Sequence, residues 1–107
     1  MENTNIKTKD MDYDQIIQST PVVLVEFYAS WCPHCQRMMP IVEQIKELLS
    51  GSVDVYQFDI DENNELAQSV SVDSIPTFII YRNGQEVWRQ SGEMDGQALL
   101  SQIQSYQ

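Results

Sequence analysis

The chain has 107 residues, 42% of them hydrophobic, with 16 acidic side chains against 6 Lys and Arg and a formal charge of −10. That length suits one domain with one core, and the composition suits a globular fold rather than disorder. The acidic excess argues against nucleic acid or an anionic membrane surface as partner. No apolar stretch reaches the roughly 18 residues that suggest a membrane-spanning helix.

In chain order, residues 1–10 are polar and expected to be loosely ordered, with a short edge strand around Ile6–Thr8 and no apolar segment of the export-signal kind. Asp10 or Asp12 can cap a short helix with Tyr13, Ile16 and Ile17 on one face, stopped by Pro21. Val22 to Tyr28 is nearly continuous in apolar, β-branched residues, the pattern of a central strand covered on both faces. From Pro33 the period becomes helical. Met38, Ile41, Val42, Ile45, Leu48 and Leu49 make one buried stripe, Pro40 predicts a kink, and Gly51 ends the helix. The next strand, Val53–Ile60, alternates, with Tyr56, Phe58 and Ile60 on one face and Val55, Gln57 and Asp59 on the other. Asp61 is expected to cap a helix carrying Leu66, Ala67 and Val70. Asn83-Gly84 joins strand Thr77–Tyr81 to returning strand Glu86–Arg89 as a hairpin. Gly92 breaks that strand, and a last helix carries Leu99, Leu100 and Ile103. Strand and helix alternating early imply parallel strands with crossover helices, and the hairpin adds an antiparallel edge.

The only two cysteines and the only histidine lie together, in Trp31-Cys32-Pro33-His34-Cys35. Two cysteines at this spacing can bridge one another or share a metal. Zinc needs four ligands; His34 offers at most a crowded third, and no other Cys or His exists. Cys32 stands where a strand ends and a helix begins. Unpaired N–H groups and a partial positive charge there stabilise a thiolate, so Cys32 is the expected nucleophile, exposed and with a depressed pKa. Cys35, about one turn on, is the expected resolving thiol.

Phe27-Tyr28-Ala29-Ser30-Trp31-Cys32, Cys35, the helix-interior Pro40, Asp59-Ile60-Asp61, Ser74-Ile75-Pro76-Thr77-Phe78, Asn83-Gly84 and Gly92 together resemble the thioredoxin family. The resemblance runs from about Val22 to Gly92, and the last helix also fits. It implies a single α/β domain over residues 1–107 with a central mixed sheet of four to five strands and helices on both faces. It implies a protein-disulfide oxidoreductase needing no cofactor beyond its own Cys32–Cys35 disulfide, and no metal. Partners would be protein disulfides and an NADPH-dependent thioredoxin reductase, and the chain would be a cytoplasmic monomer, or extracytoplasmic if a leader is removed. In the family the position of Pro76 faces the cysteines after a cis bond. Trp31, Pro33, Ile75, Pro76 and Gly92 are then the expected partner groove, flat and apolar, with backbone before Pro76 on which an extended substrate can pair.

Two departures matter. Thioredoxins typically carry Gly-Pro between the cysteines; Pro33-His34 is similar to the dipeptide of bacterial disulfide oxidases of the DsbA type, whose inserted helical domain this chain is too short to hold. An imidazolium or ring N–H of His34 near Cys32 would stabilise the thiolate and make the couple more oxidising. Glu26 takes the place of the family's buried Asp, a base for Cys35 through water, and Gln57 the place of its lysine. Burial should raise the Glu26 pKa toward neutral. The leading expectation is a disulfide reductase with Cys32, Cys35, His34 and Glu26 as catalytic candidates. Alternatives are a disulfide oxidase or isomerase, and a binding module without turnover.

Overall fold

Val22 to Phe27 are all buried, six consecutive residues including Glu26. A strand that loses both faces to the interior must be central, and strand β1 (Val22–Tyr28) is. It pairs in parallel with β2 (Val53–Asp59) and antiparallel with β3 (Thr77–Arg82), whose far edge pairs with β4 (Gln85–Ser91). Among the described residues the order β2-β1-β3-β4 makes the expected mixed sheet, with four strands. The computed structural model describes residues 12–107; the edge strand expected at Ile6–Thr8 and the loosely ordered stretch 1–10 lie outside the described residues.

Among the described residues, four helices cover the two faces. Helices α2 (Pro33–Leu48) and α4 (Gly96–Ser105) set Met38, Val42, Ile45, Leu99 and Ile103 against Leu24, Phe78 and Ile80. On the other face lie α1 (Tyr13–Ile16) and α3 (Asn64–Ser69), where Ile17, just after α1, and Ala67 meet Val23, Val25, Phe27 and Ile79. Each large apolar side chain so buried stabilises the fold by about 1.5–3 kcal/mol. Asp12 caps α1, its carboxylate accepting from Asp14 N–H.

Two sequence expectations are corrected. The buried stripe of α2 is Met38, Val42, Ile45 and Leu49, while Leu48 is 65% exposed. Steps of four, three and four keep the first set on one side, and Leu48, three residues after Ile45 and one before Leu49, is turned past the edge of that side. Helix α3 starts after Asn63, not Asp61. Asp61 instead sits in a turn, its N–H bonded to Asp59 Oδ1 at 2.9 Å. The hairpin turn and the alternation of β2 follow the sequence pattern. Asn83 and Gly84 both take positive φ, 52° and 82°, as a tight hairpin turn demands. Helix α2 runs through Pro40, which is exposed. The alternation of β2 sends Val53 and Val55 to one core and Tyr56 and Phe58 to the other.

Candidate active site

Strand β1 ends under the first turn of α2, and Cys32 is the N-cap of that helix. Pro33 opens the helix, where a missing N–H costs nothing. Cys32 Sγ accepts the Cys35 N–H at 3.3 Å. Burial pushes the Cys32 thiol up, but the Cys35 thiol and N–H, the His34 N–H and the Arg37 charge outweigh it and bring it below its ordinary value. Cys32 is more enclosed than the sequence suggested: the residue is 5% exposed, packed with Ala29, Cys35 and the flanking Tyr28, Ile60 and Ile75. Cys35 is deeper, at 1%. Burial, then its hydrogen bond to Cys32, pushes its thiol up to about 12, beyond what the Ala29 N–H offsets. The two sulfurs are thus displaced in opposite directions.

Glu26 lies in β1, 1% exposed. Burial raises its carboxyl from the ordinary 4.5 to about 7, although the Gln57 amide opposes the shift. Gln57 Nε2 donates to Glu26 Oε1 at 3.0 Å. The Glu26 charge adds to the forces raising the Cys35 thiol, so the acid lies within electrostatic reach of the deeper sulfur.

His34 is not placed as expected. Its side chain is 59% exposed and its ring turns toward Glu93, Nδ1 to Oε1 at 2.7 Å, rather than toward Cys32. It is the backbone of His34, not its ring, that is among the causes lowering the Cys32 thiol. The reason is competition: Glu93 and Arg37 together hold the ring at the rim.

The expected partner surface is only partly assembled. Trp31 is 62% exposed, its indole N–H donating to Asp61 Oδ2 at 2.8 Å. Trp31 and Ile75 line a cleft of about 230 Å³ together with Ile60, Asn64 and Val72. Pro33 is exposed on α2, whereas Pro76 is buried, and neither Pro76 nor Gly92 lines the cleft. The Ile75–Pro76 bond is cis, and Gly92 N–H donates to Pro76 O at 2.7 Å. Sequence reading did not single out Arg37, Asp61 or Glu93 for roles at the site. Only Arg37 carried a local signal, as the first cation after the cysteine pair. Among the described residues, no group of three or more His, Cys, Asp or Glu stands close enough to hold a metal ion. No helix among them is long and apolar enough to cross a membrane.

Comparison with known proteins follows the same lines. Residues 4–105 match the family model described as Thioredoxin. A thioredoxin-like protein of Synechocystis is 32% identical over 94% of this chain and 97% of its own length. Thioredoxin Y, chloroplastic, from Oryza sativa is 35% identical over 87% of this chain, which spans only 56% of the rice protein. Among solved structures, a thioredoxin variant from Halobacterium salinarum superimposes with a TM-score of 0.80 at 36% identity, covering 88% of this chain and 81% of that one.

Proposed function

The chain belongs to the thioredoxin family, and from that premise we propose that it is a protein-disulfide oxidoreductase acting as a reductase, with Cys32 as nucleophile and Cys35 as resolving thiol. The observation that carries this reading is the helix N-terminus built around Cys32 Sγ, with the Cys35 N–H at 3.3 Å and the two thiols displaced in opposite directions.

The Cys32 thiolate attacks one sulfur of a partner's disulfide. That S–S bond breaks, a mixed disulfide forms, and the departing sulfur takes up a proton. Cys35 then gives up its proton and attacks Cys32 Sγ, displacing the partner's second sulfur, which is protonated in turn. Two electrons have passed to the partner, and a Cys32–Cys35 disulfide remains. Glu26, buried and raised toward neutrality, is suited to take the Cys35 proton through water. A thioredoxin reductase, drawing on NADPH, returns two electrons and restores both thiols. On this reading the chain works in the cytoplasm, where NADPH is supplied, as a monomer. Protein partners meet Cys32 along Trp31, Pro33 and Ile75, with Pro76 and Gly92 supporting the loop beside it.

The couple is more oxidising than that of a Gly-Pro thioredoxin. Proline in the second position has no N–H; His34 does, and that N–H is among the groups that lower the Cys32 thiol. Stabilising the reduced form raises the potential. The same observation favours, as a second reading, electron flow in the oxidase or isomerase direction. Equilibration with glutathione separates the two: a potential equal to that of a Gly-Pro thioredoxin removes the oxidase reading and the claim for His34. The primary test is reduction of a disulfide-bonded test protein driven by NADPH and a thioredoxin reductase. Wild type turns over and Cys32→Ser does not; turnover by Cys32→Ser overturns the reading.

A further inference from the structure

Glu93 joins two parts of the chain separated by 59 positions in sequence. It follows Gly92, whose N–H is tied to Pro76 O, so it stands on the loop beside the cysteine pair. Its Oε1 accepts from Arg37 Nε at 3.0 Å and from Arg37 Nη2 at 2.8 Å, and lies 2.7 Å from His34 Nδ1. Arg37 Nη2 is also 2.9 Å from that same Nδ1. His34 and Arg37, three apart in the first turns of α2, therefore share one carboxylate oxygen across the rim of the site.

The contacts are mutually dependent. His34 Nδ1 cannot donate to Glu93 and accept from Arg37 at once. With a proton on Nδ1 it donates to Glu93; without one it accepts from Arg37, which still holds Glu93 through Nε. Either way the ring stays on the loop side. Both arrangements need the carboxylate, whose two cationic or donating neighbours hold its acid form down to about 2, Arg37 more than His34.

Two consequences reach Cys32. The Arg37 charge is among the forces lowering its thiol, and Glu93 offsets that charge at 2.8 Å. The His34 ring, sequestered at the rim, contributes no side-chain hydrogen bond to the sulfur. We propose that Glu93 is a positioning residue for the redox couple: by holding the His34 ring away from Cys32 and offsetting Arg37, it keeps the pair less oxidising than Pro33-His34 would otherwise make it. This rests on the reading of Cys32 as the nucleophile.

The test is the thiolate absorbance titration of Cys32, with equilibration against glutathione, in wild type, Glu93→Gln, Glu93→Asp and Glu93→Gln/His34→Ala. Glu93→Gln should move the thiol–thiolate equilibrium toward thiolate by about two- to fivefold, the scale of an exposed charge interaction. The glutathione equilibrium should shift toward the reduced protein. Glu93→Asp should recover most of the wild-type behaviour, and the added His34→Ala should remove part of the gain. A Glu93→Gln titration superimposable on wild type overturns the proposal. So does a shift that His34→Ala leaves whole, because then only the Arg37 charge is at work. A wild type that does not exchange with glutathione fails the underlying reading instead, and the titration still reports on Glu93.

Discussion

Gln57 and Glu26 face each other in the parallel register of β1 and β2, and the Gln57 amide donates to the buried carboxyl at 3.0 Å. A neutral amide satisfies one oxygen without supplying a positive charge. The other oxygen, Oε2, is buried without a hydrogen-bond partner among the described residues. Burial therefore dominates, and the acid holds its proton to about pH 7.

This makes stability fall as pH rises. Below about 4.5 the carboxyl is protonated in both folded and unfolded chains and contributes nothing. Between 4.5 and about 7 the unfolded chain gives up its proton first, so folding is progressively disfavoured. By mildly alkaline pH the loss is on the order of 3 kcal/mol, because each tenfold difference in proton affinity between the folded and unfolded chains is worth about 1.4 kcal/mol. Glu26→Gln should remove it. Denaturant midpoints should show the variant gaining on wild type from pH 4.5 upward, and a gap independent of pH would contradict the assignment.

Gln57→Lys should act on the same carboxyl in the opposite sense. An ammonium beside Glu26 favours its charged form and lowers its pKa. The pH profile of release from a mixed disulfide should then move toward acid. A profile unchanged in Gln57→Lys would mean that Glu26 does not handle the Cys35 proton.

Most of the fold could be read from the sequence because its signals are local. A nearly continuous apolar run marks β1, a period change at Pro33 marks α2, and Asn83-Gly84 marks the hairpin. The cysteine pair was legible for the same reason, since both sulfurs sit at one helix end. What was not legible depends on long-range packing. Glu93 meets His34 only because the loop after β4 folds back over α2, and nothing in the local sequence of either residue announces the other. Leu48 has the same cause at smaller scale: helical period brings it near the stripe, and only the width of the covered face, which takes in Leu49 but not Leu48, excludes it. Trp31, expected in the partner groove, is exposed and anchored by Asp61, a residue whose local sequence suggests only a helix cap.

Substitutions of His34 separate ring from backbone. His34→Ala keeps the N–H that reaches Cys32 and leaves Arg37 paired with Glu93, so the Cys32 titration should change by less than about twofold. His34→Pro deletes that N–H, at a helix position that tolerates proline. The thiolate fraction should fall by roughly three- to tenfold, the scale of a hydrogen bond to a charged acceptor. For a two-electron couple a tenfold change is about 30 mV, toward a more reducing value. Equal effects from the two substitutions would place the influence of His34 in its ring.

The far core should be independent of this chemistry. Leu99 in α4 is fully buried against the sheet. Leu99→Ala should cost about 2–5 kcal/mol by denaturant titration. The Cys32 thiolate titration of the folded variant should overlay that of wild type, and a displaced titration would show that packing of α4 reaches the cysteine pair.

The most direct test of the mechanism is trapping. Cys35→Ser, reduced and mixed with a disulfide-bonded test protein, should stop at the first exchange and accumulate a covalent adduct. Peptide mass mapping should place the new bond on Cys32, and dithiothreitol should release the partner. Cys32→Ser should trap nothing, since its remaining thiol is buried and pushed up to about 12. An adduct on Cys35, or none in Cys35→Ser, would contradict the account.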